Sequence, residues 1–130
     1  MKKLFIILMI MLLNSPVFSD IIYRYQATGD SSMVETITLP DRASEGKLSE
    51  VRLHLSSAAT TSENFVVYVD SDSSSVYDTK LFSQDMETVQ DVVYLPSRVQ
   101  GTADKDDVFT FTYTNTDSLT WGLEVLFGDE

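Results

Sequence analysis

From residue 21 onward, apolar and polar residues alternate along most of the chain, so that every second residue is apolar. Side chains of a β-strand point alternately to its two faces, so this period predicts half-buried strands. Helical spacing is scarce, and only residues 84–90 (QDMETVQ) would accommodate a short helical turn. The predicted strands span residues 21–28, 33–39, 49–56, 65–69, 76–83, 91–95, 108–114 and 119–127.

About eight short strands with no repeat and no internal linker predict an all-β protein. A single antiparallel β-sandwich follows, and its connections are either jelly-roll or immunoglobulin-like. In residues 49–56 the pattern places Val51, Leu53 and Leu55 inward. Residues 65–69 (FVVYV) are continuously apolar, which indicates a central strand covered on both faces.

Trp121 is the only tryptophan, and it lies in register with Leu119 and Leu123 on one apolar face. A large aromatic side chain within a regular apolar face predicts a core position. Four turn-forming residues, 115–118, separate this strand from the preceding one, so the two are predicted to pair as a hairpin. Gly122 indicates a bulge or a close approach of backbone.

Residues 1–19 have the three regions of a secretory signal peptide: Lys2 and Lys3, then the apolar residues 4–13, then a short polar segment ending at Ser19. Cleavage is predicted between Ser19 and Asp20, which leaves one domain over residues 20–130. The alternative is a retained anchor, but ten apolar residues fall short of the ~20 that span a bilayer. The sequence therefore predicts an exported protein, periplasmic or extracellular, with no stable membrane insertion after cleavage.

The formal charge of the chain is −11, and removal of Lys2 and Lys3 makes it −13. Nucleic acid is excluded as a partner, because its binding rests largely on cations that neutralise phosphates. The absence of cysteine excludes disulfides, thiol nucleophiles and thiolate metal sites. An exported protein without disulfides points to a bacterial or phage source.

Oxygen-bearing side chains cluster in residues 70–78 (DSDSSSVYD), where Asp70, Asp72 and Asp78 are candidate calcium ligands. The spacing begins like an EF-hand loop but departs from it at Ser75 and Leu81, where that loop needs glycine and an acid. The alternative is a solvated turn, which Asp and Ser favour through local hydrogen bonds. A second acidic group, Asp104, Asp106 and Asp107, either joins this loop or protects the entry to the next strand.

His54 is the only histidine and is predicted to be exposed on a strand. No sequence motif presents a nucleophile to it, so no enzyme activity is predicted. Tyrosines 68, 77 and 94 are candidates for a glycan-binding platform, with packing on the second sheet face as the alternative.

Three functions remain open on the sequence. The first is an exported, non-enzymatic interaction or structural protein of a bacterial surface or phage particle, acting by surface contacts or self-association into a homo-oligomer through exposed edge strands. The second is a module that binds a glycan or another cell-surface polymer, assisted by calcium. The third is a small hydrolase that uses acidic residues. No cofactor other than calcium is predicted.

Overall fold

The structure is a computed structural model that describes residues 21–38, 47–97 and 106–128. The predicted signal peptide and Asp104 lie outside the described residues. Within the described ranges, no helix has the length or the apolar content to cross a bilayer.

Eight strands make up two four-stranded sheets, and every paired neighbour is antiparallel. Sheet I has the order β1-β8-β3-β6, and sheet II has the order β2-β7-β4-β5. The strands are β1 (Ile21–Gly29), β2 (Met33–Thr38), β3 (Lys47–Leu55), β4 (Asn64–Asp70), β5 (Thr79–Asp85), β6 (Asp91–Tyr94), β7 (Val108–Tyr113) and β8 (Trp121–Gly128).

Consecutive strands change sheet at every connection except one, since β4 and β5 are neighbours in sheet II. This order is that of a jelly roll, and it decides between the two predicted types of connection. An immunoglobulin sandwich would keep its first two strands together in one sheet. The prediction of an all-β sandwich of about eight strands is confirmed.

The predicted hairpin between β7 and β8 is wrong, because the two strands lie in different sheets. The turn between them has positive φ at Asn115 (57°) and Ser118 (53°), and it carries the chain across the sandwich. The apolar sides of the two strands therefore meet across the core instead of side by side. The rings of Phe109 and Phe127 lie 5.5 Å apart in an edge-to-face arrangement.

The core lies between the two sheets. Its buried side chains come mainly from β2, β3, β4, β6, β7 and β8, and partly buried side chains of β1 and β5 pack against them. Val51, Leu53 and Leu55 are buried as predicted, and Trp121 is buried with 4% exposure. The largest fully buried side chains include four phenylalanines: Phe65, Phe109, Phe111 and Phe127. Each such side chain contributes roughly 1.5–3 kcal/mol by leaving water.

Residues 75–90 differ from the prediction in two places. A 3-10 turn, Ser75–Tyr77, precedes β5, so the strand begins at Thr79 instead of residue 76. Residues 84–90 do not form a helical turn: β5 continues to Asp85, and Thr88 has a positive φ of 64°. Met86 is fully buried, and its N–H donates to the Glu63 carbonyl at 2.9 Å. Burial of this side chain outweighs the local helical tendency.

Candidate functional site

The outer face of sheet II has few charged side chains. Apart from the pair Asn64–Asp85, of which Asp85 is charged, its residues form three rows across β2, β7, β4 and β5: Val34–Thr112–Val66–Ser83, Thr36–Thr110–Tyr68–Lys80, and Thr38–Val108–Asp70. We call these eleven residues the neutral face. Only Lys80 and Asp70 carry a charge, and both lie on the side away from β2. Val34 is 68% exposed, so the half of this face on β2 and β7 presents uncharged threonine and valine side chains to solvent.

The outer face of sheet I is charged by contrast. Arg52 on β3 binds Glu50 at 2.6 Å and Glu124 of the adjacent β8 at 2.8 Å. The hydrogen bond to Glu50 raises the pKa of Arg52. Arg24 of β1 lies 4.0 Å from Glu124. Opposite charges on neighbouring strands therefore pair with one another and hold the three strands in register.

A shallow groove of about 480 Å³ crosses this charged face above Gly122. It is open because Gly122 has no side chain, and a Cβ there would meet nothing within 4 Å. His54 lines the groove, and its Nδ1 lies 2.6 Å from Asp91 Oδ1. The histidine is exposed on its strand, as predicted. The Asp91 side chain is 66% exposed, whereas histidine-assisted nucleophilic catalysis uses a buried acid.

Two acidic loops meet at one end of the sandwich, which we call the acidic end. The Asp72 N–H donates to Asp107 Oδ1 at 3.0 Å, so the loop 71–78 contacts the residue just before β7. The Ser71 N–H donates to Asp78 Oδ1 at 3.0 Å, and Asp70 is exposed. Among the described residues, no group of three acidic, histidine or cysteine side chains is arranged to hold a metal ion. Calcium binding by Asp70, Asp72 and Asp78 stays a prediction.

The three candidate tyrosines have different surroundings. Tyr77 is 65% exposed and follows Val76, which is 83% exposed, in the 3-10 turn of the acidic end. Tyr68 is half-buried on the neutral face. Tyr94 is buried and stacks on Phe82 with ring centroids 4.6 Å apart. Tyr94 therefore belongs to the packing, and Tyr77 is the tyrosine that solvent reaches most freely.

The opposite end of the sandwich is tied together by side chains that sequence reasoning missed. We call it the tied end; it consists of the turns 30–32, 56–63, 86–90 and 114–120. Asp117 accepts hydrogen bonds from the backbone N–H and hydroxyl groups of both Thr60 and Thr61, at 2.6–3.1 Å. The hydroxyl of Thr61 and then the backbone N–H groups lower the pKa of Asp117 to about 2. The Thr116 N–H and hydroxyl donate to Glu63.

Asn115 and Trp121 complete the tied end. The Asn115 side chain, only 4% exposed, donates to carbonyls of Asp30, Ser31 and Leu119. Trp121 Nε1 also donates to the Ser31 carbonyl, at 2.8 Å. Residues 115–118 (NTDS) are recognisable in the sequence as a turn, but the partners of their side chains lie 53 to 85 residues away along the chain for all but Leu119.

No model of a known protein family matches the sequence, and no curated protein matches it. Among solved structures, the fold is similar to a chain of the acidic stable capsid of Helicobacter pylori bacteriophage KHP30, with a TM-score of 0.50 and 15% sequence identity. That alignment covers 86% of this chain and 92% of the capsid chain. A chain of Tomato Aspermy Virus, with 9% identity over the whole of this chain and 96% of its own length, reaches a TM-score of 0.37, which is too low to bear on the fold. The likeness to the phage capsid chain concerns the jelly-roll fold.

Proposed function

We propose that this chain is a non-enzymatic structural protein of a phage particle and acts by contact with other protein chains, including copies of itself. The observation that carries the proposal is the neutral face, a nearly charge-free sheet surface on a chain with a formal charge of −11. The jelly-roll fold shared with a phage capsid chain supports it.

The chemistry of the neutral face suits burial in an interface. Two copies of an acidic chain repel one another, so contact is favoured where few carboxylates must be desolvated. Threonine and valine are β-branched and already restricted at χ1, so they lose little side-chain freedom when a partner covers them. Depletion of charge at the centre is also the compositional mark of protein–protein interfaces.

Light scattering of the purified protein over a range of concentrations tests this function. We expect a mass above that of one chain, rising with concentration to a defined oligomer or a growing assembly. Thr110→Glu places a carboxylate at the centre of the neutral face and should reduce the assembly. Val93→Glu is the matched control, because Val93 is 60% exposed on the other sheet. A monomer at every concentration would contradict self-association.

Export to the periplasm or the cell exterior is part of the proposal and is supported by the signal-peptide pattern of residues 1–19. Mass spectrometry of the protein expressed from residues 1–130 tests it. The expected product begins at Asp20, and a product that retains residue 1 would contradict cleavage.

A second candidate function is binding of a glycan or another surface polymer at the acidic end. The exposure of Tyr77 beside the Asp78 loop favours it, since sugar rings stack on accessible aromatic faces. Tyr77→Ala should then weaken retention on a polysaccharide column, whereas Tyr68→Ala should not. Equal retention of both variants and of the unaltered protein would contradict this candidate.

A further inference from the structure

Among the described residues, each sheet of the sandwich ends in two edge strands: β1 and β6 in sheet I, and β2 and β5 in sheet II. An edge strand presents a row of unpaired backbone N–H and C=O groups, which can pair with a strand of another chain. Natural proteins block such pairing with charged side chains, above all lysine, with inward-pointing charges, with proline, with a bulge or with a very short strand. The four edges of this protein differ in how well they are blocked.

Three of the edges carry such features. In β5 the register shifts so that no residue of β4 lies directly opposite Leu81, and Lys80 is exposed beside it. β6 has only four residues. In β1 the register shifts between Ile21 and Tyr23, and Arg24 is exposed on the outer face.

The edge of β2 has only one of these features, a single inward-pointing charge. All six of its residues pair with β7 in unbroken register, and the strand contains no lysine, arginine or proline. Its outward side chains are Val34, Thr36 and Thr38, which belong to the charge-free half of the neutral face. Its one charged residue, Glu35, is on the inward side and accepts a hydrogen bond from the Tyr25 hydroxyl.

We infer that β2 is the strand through which two copies of this chain associate, by antiparallel pairing that joins sheet II of each copy into one eight-stranded sheet. The inference rests on the proposed self-association and names the surface that performs it. Six residues on each strand supply about six backbone hydrogen bonds across a twofold axis.

Charge favours a second copy as the partner. A cationic partner would be attracted to the acidic surfaces elsewhere on the molecule and gains nothing from an uncharged edge. A second copy has the same formal charge of −11, so it is repelled by those surfaces and accepted best where charge is absent. The β2 edge and the adjoining half of the neutral face satisfy this condition together.

Side-chain chemistry also selects the register. In the joint sheet, both cores must lie on the same side. Each core-facing residue of β2 must then lie directly opposite a core-facing residue of the second copy, which limits the possible registers. Centring on Glu35 would place two carboxylates directly opposite each other, which is destabilising. Centring on Thr36 places the two Thr36 residues opposite each other and Val34 opposite Thr38 of the second copy.

This register has a direct test, because the chain contains no cysteine. Directly opposed residues of an antiparallel pair have Cα atoms roughly 4.5–5.5 Å apart, within the range that a disulfide spans. Thr36→Cys, in protein expressed from residues 1–130, should therefore give a covalent dimer when diamide oxidises the two thiols and is itself reduced. Ser83→Cys is the matched control: Ser83 is exposed on the same face of sheet II but on β5.

A charge variant gives a second, independent readout. Thr36→Lys places two lysines opposite each other at the axis and should leave monomers at concentrations where the unaltered protein is associated, whereas Ser83→Lys should associate normally. Circular dichroism and the fluorescence of Trp121 check that the lysine variants fold. The cysteine variants, which add no charge, keep the test decisive if a lysine variant does not fold.

The outcomes separate this inference from the proposed function. A crosslinked Thr36→Cys dimer together with a monomeric Thr36→Lys variant supports the β2 pairing. Assembly that survives Thr36→Lys, without a Thr36→Cys crosslink, overturns the β2 inference and leaves self-association standing. A protein that is monomeric throughout overturns both, and a Thr36→Cys crosslink only to a different particle protein assigns β2 to that partner instead.

Discussion

One amide side chain, that of Asn115, joins two turns at the tied end, residues 30–32 and 114–120. Its Nδ2 lies 3.2 Å from the carbonyls of Asp30 and Ser31 and 2.9 Å from that of Leu119, and its Oδ1 accepts from the Leu119 N–H. Its φ of 57° is in the left-handed region, which asparagine tolerates better than most residues. Asn115 therefore both adopts the left-handed backbone conformation of the turn and satisfies the buried backbone groups around it.

Asn115→Ala is expected to lower the free energy of unfolding by about 2–4 kcal/mol, because it leaves buried polar groups unpaired and places a methyl-bearing residue at positive φ. Urea denaturation followed by Trp121 fluorescence measures the change. Asn64→Ala is the control, since Asn64 is exposed, and it should change stability by less than about 0.5 kcal/mol. Equal losses of unfolding free energy in the two variants would contradict a larger contribution of the buried amide to stability.

Asp117 makes the tied end sensitive to acid. Its pKa is lowered from the ordinary value of 3.8 to about 2 by the Thr61 hydroxyl and the N–H groups of Thr60 and Thr61. The folded state binds the proton less tightly than the unfolded state, so the contribution of Asp117 is present above about pH 4 and is lost as the pH falls towards 2. Asp117→Asn should therefore lower the melting temperature most at pH 5 and above.

The difference in melting temperature between the unaltered protein and Asp117→Asn should shrink between pH 4 and pH 2. Thermal melts at matched ionic strength measure it. Thr61→Val removes the largest cause of the lowered pKa, so the melting temperature of this variant should fall less between pH 4 and pH 2 than that of the unaltered protein. A difference that stays constant from pH 5 to pH 2 would contradict the role of the carboxylate.

The contact between β1 and β8 illustrates packing between elements. A Cβ on Gly29 would lie 2.6 Å from Trp121 Cζ2, whereas a Cβ on Gly122 would meet nothing within 4 Å. Gly29 is thus the glycine that lets backbone approach the tryptophan closely, a role that the sequence suggested for Gly122. Thr28 Oγ1 donates to the Trp121 carbonyl at 2.7 Å and holds the two strands together beside this contact.

Gly29→Ala is expected to lower the free energy of unfolding by about 1–3 kcal/mol, because the methyl group overpacks against the indole. The emission of Trp121, the only tryptophan, should change with it. Gly122→Ala makes the same chemical change on an open surface and should be neutral or stabilising by up to about 1 kcal/mol. If Gly122→Ala proves the more damaging of the two, the assignment of the close approach to Gly29 is wrong.

For the molecule as a whole, the two ends of the sandwich differ in what holds them. At the tied end, carboxylates accept hydrogen bonds from several turns. At the acidic end, the carboxylates of Asp78 and Asp107 accept the backbone N–H groups of Ser71 and Asp72. Calcium would add a strong local positive charge there, in a protein whose formal charge is −11.

We expect the melting temperature to be higher in calcium than in chelator, as for any ligand that binds the native state preferentially. At a calcium concentration about a hundredfold above the dissociation constant, the free energy of unfolding would rise by about 2.7 kcal/mol. Asp78→Asn should reduce this rise. Asp30→Asn, an exposed aspartate in a turn of the tied end, should not. Identical melting temperatures in calcium and in chelator would contradict calcium binding at the acidic end.

The sequence by itself determined the strands and the direction of most side chains, because alternation is a local property of the extended backbone. Val51, Leu53, Leu55 and Trp121 could be assigned to the core from neighbouring residues alone. The tertiary structure decided what depends on distant segments: β7 and β8 lie in different sheets, and Asn115 closes on a turn far away in the chain. The neutral face also appears only when β2, β7 and β4 lie side by side, since strand pairing is a long-range choice among many similar apolar segments.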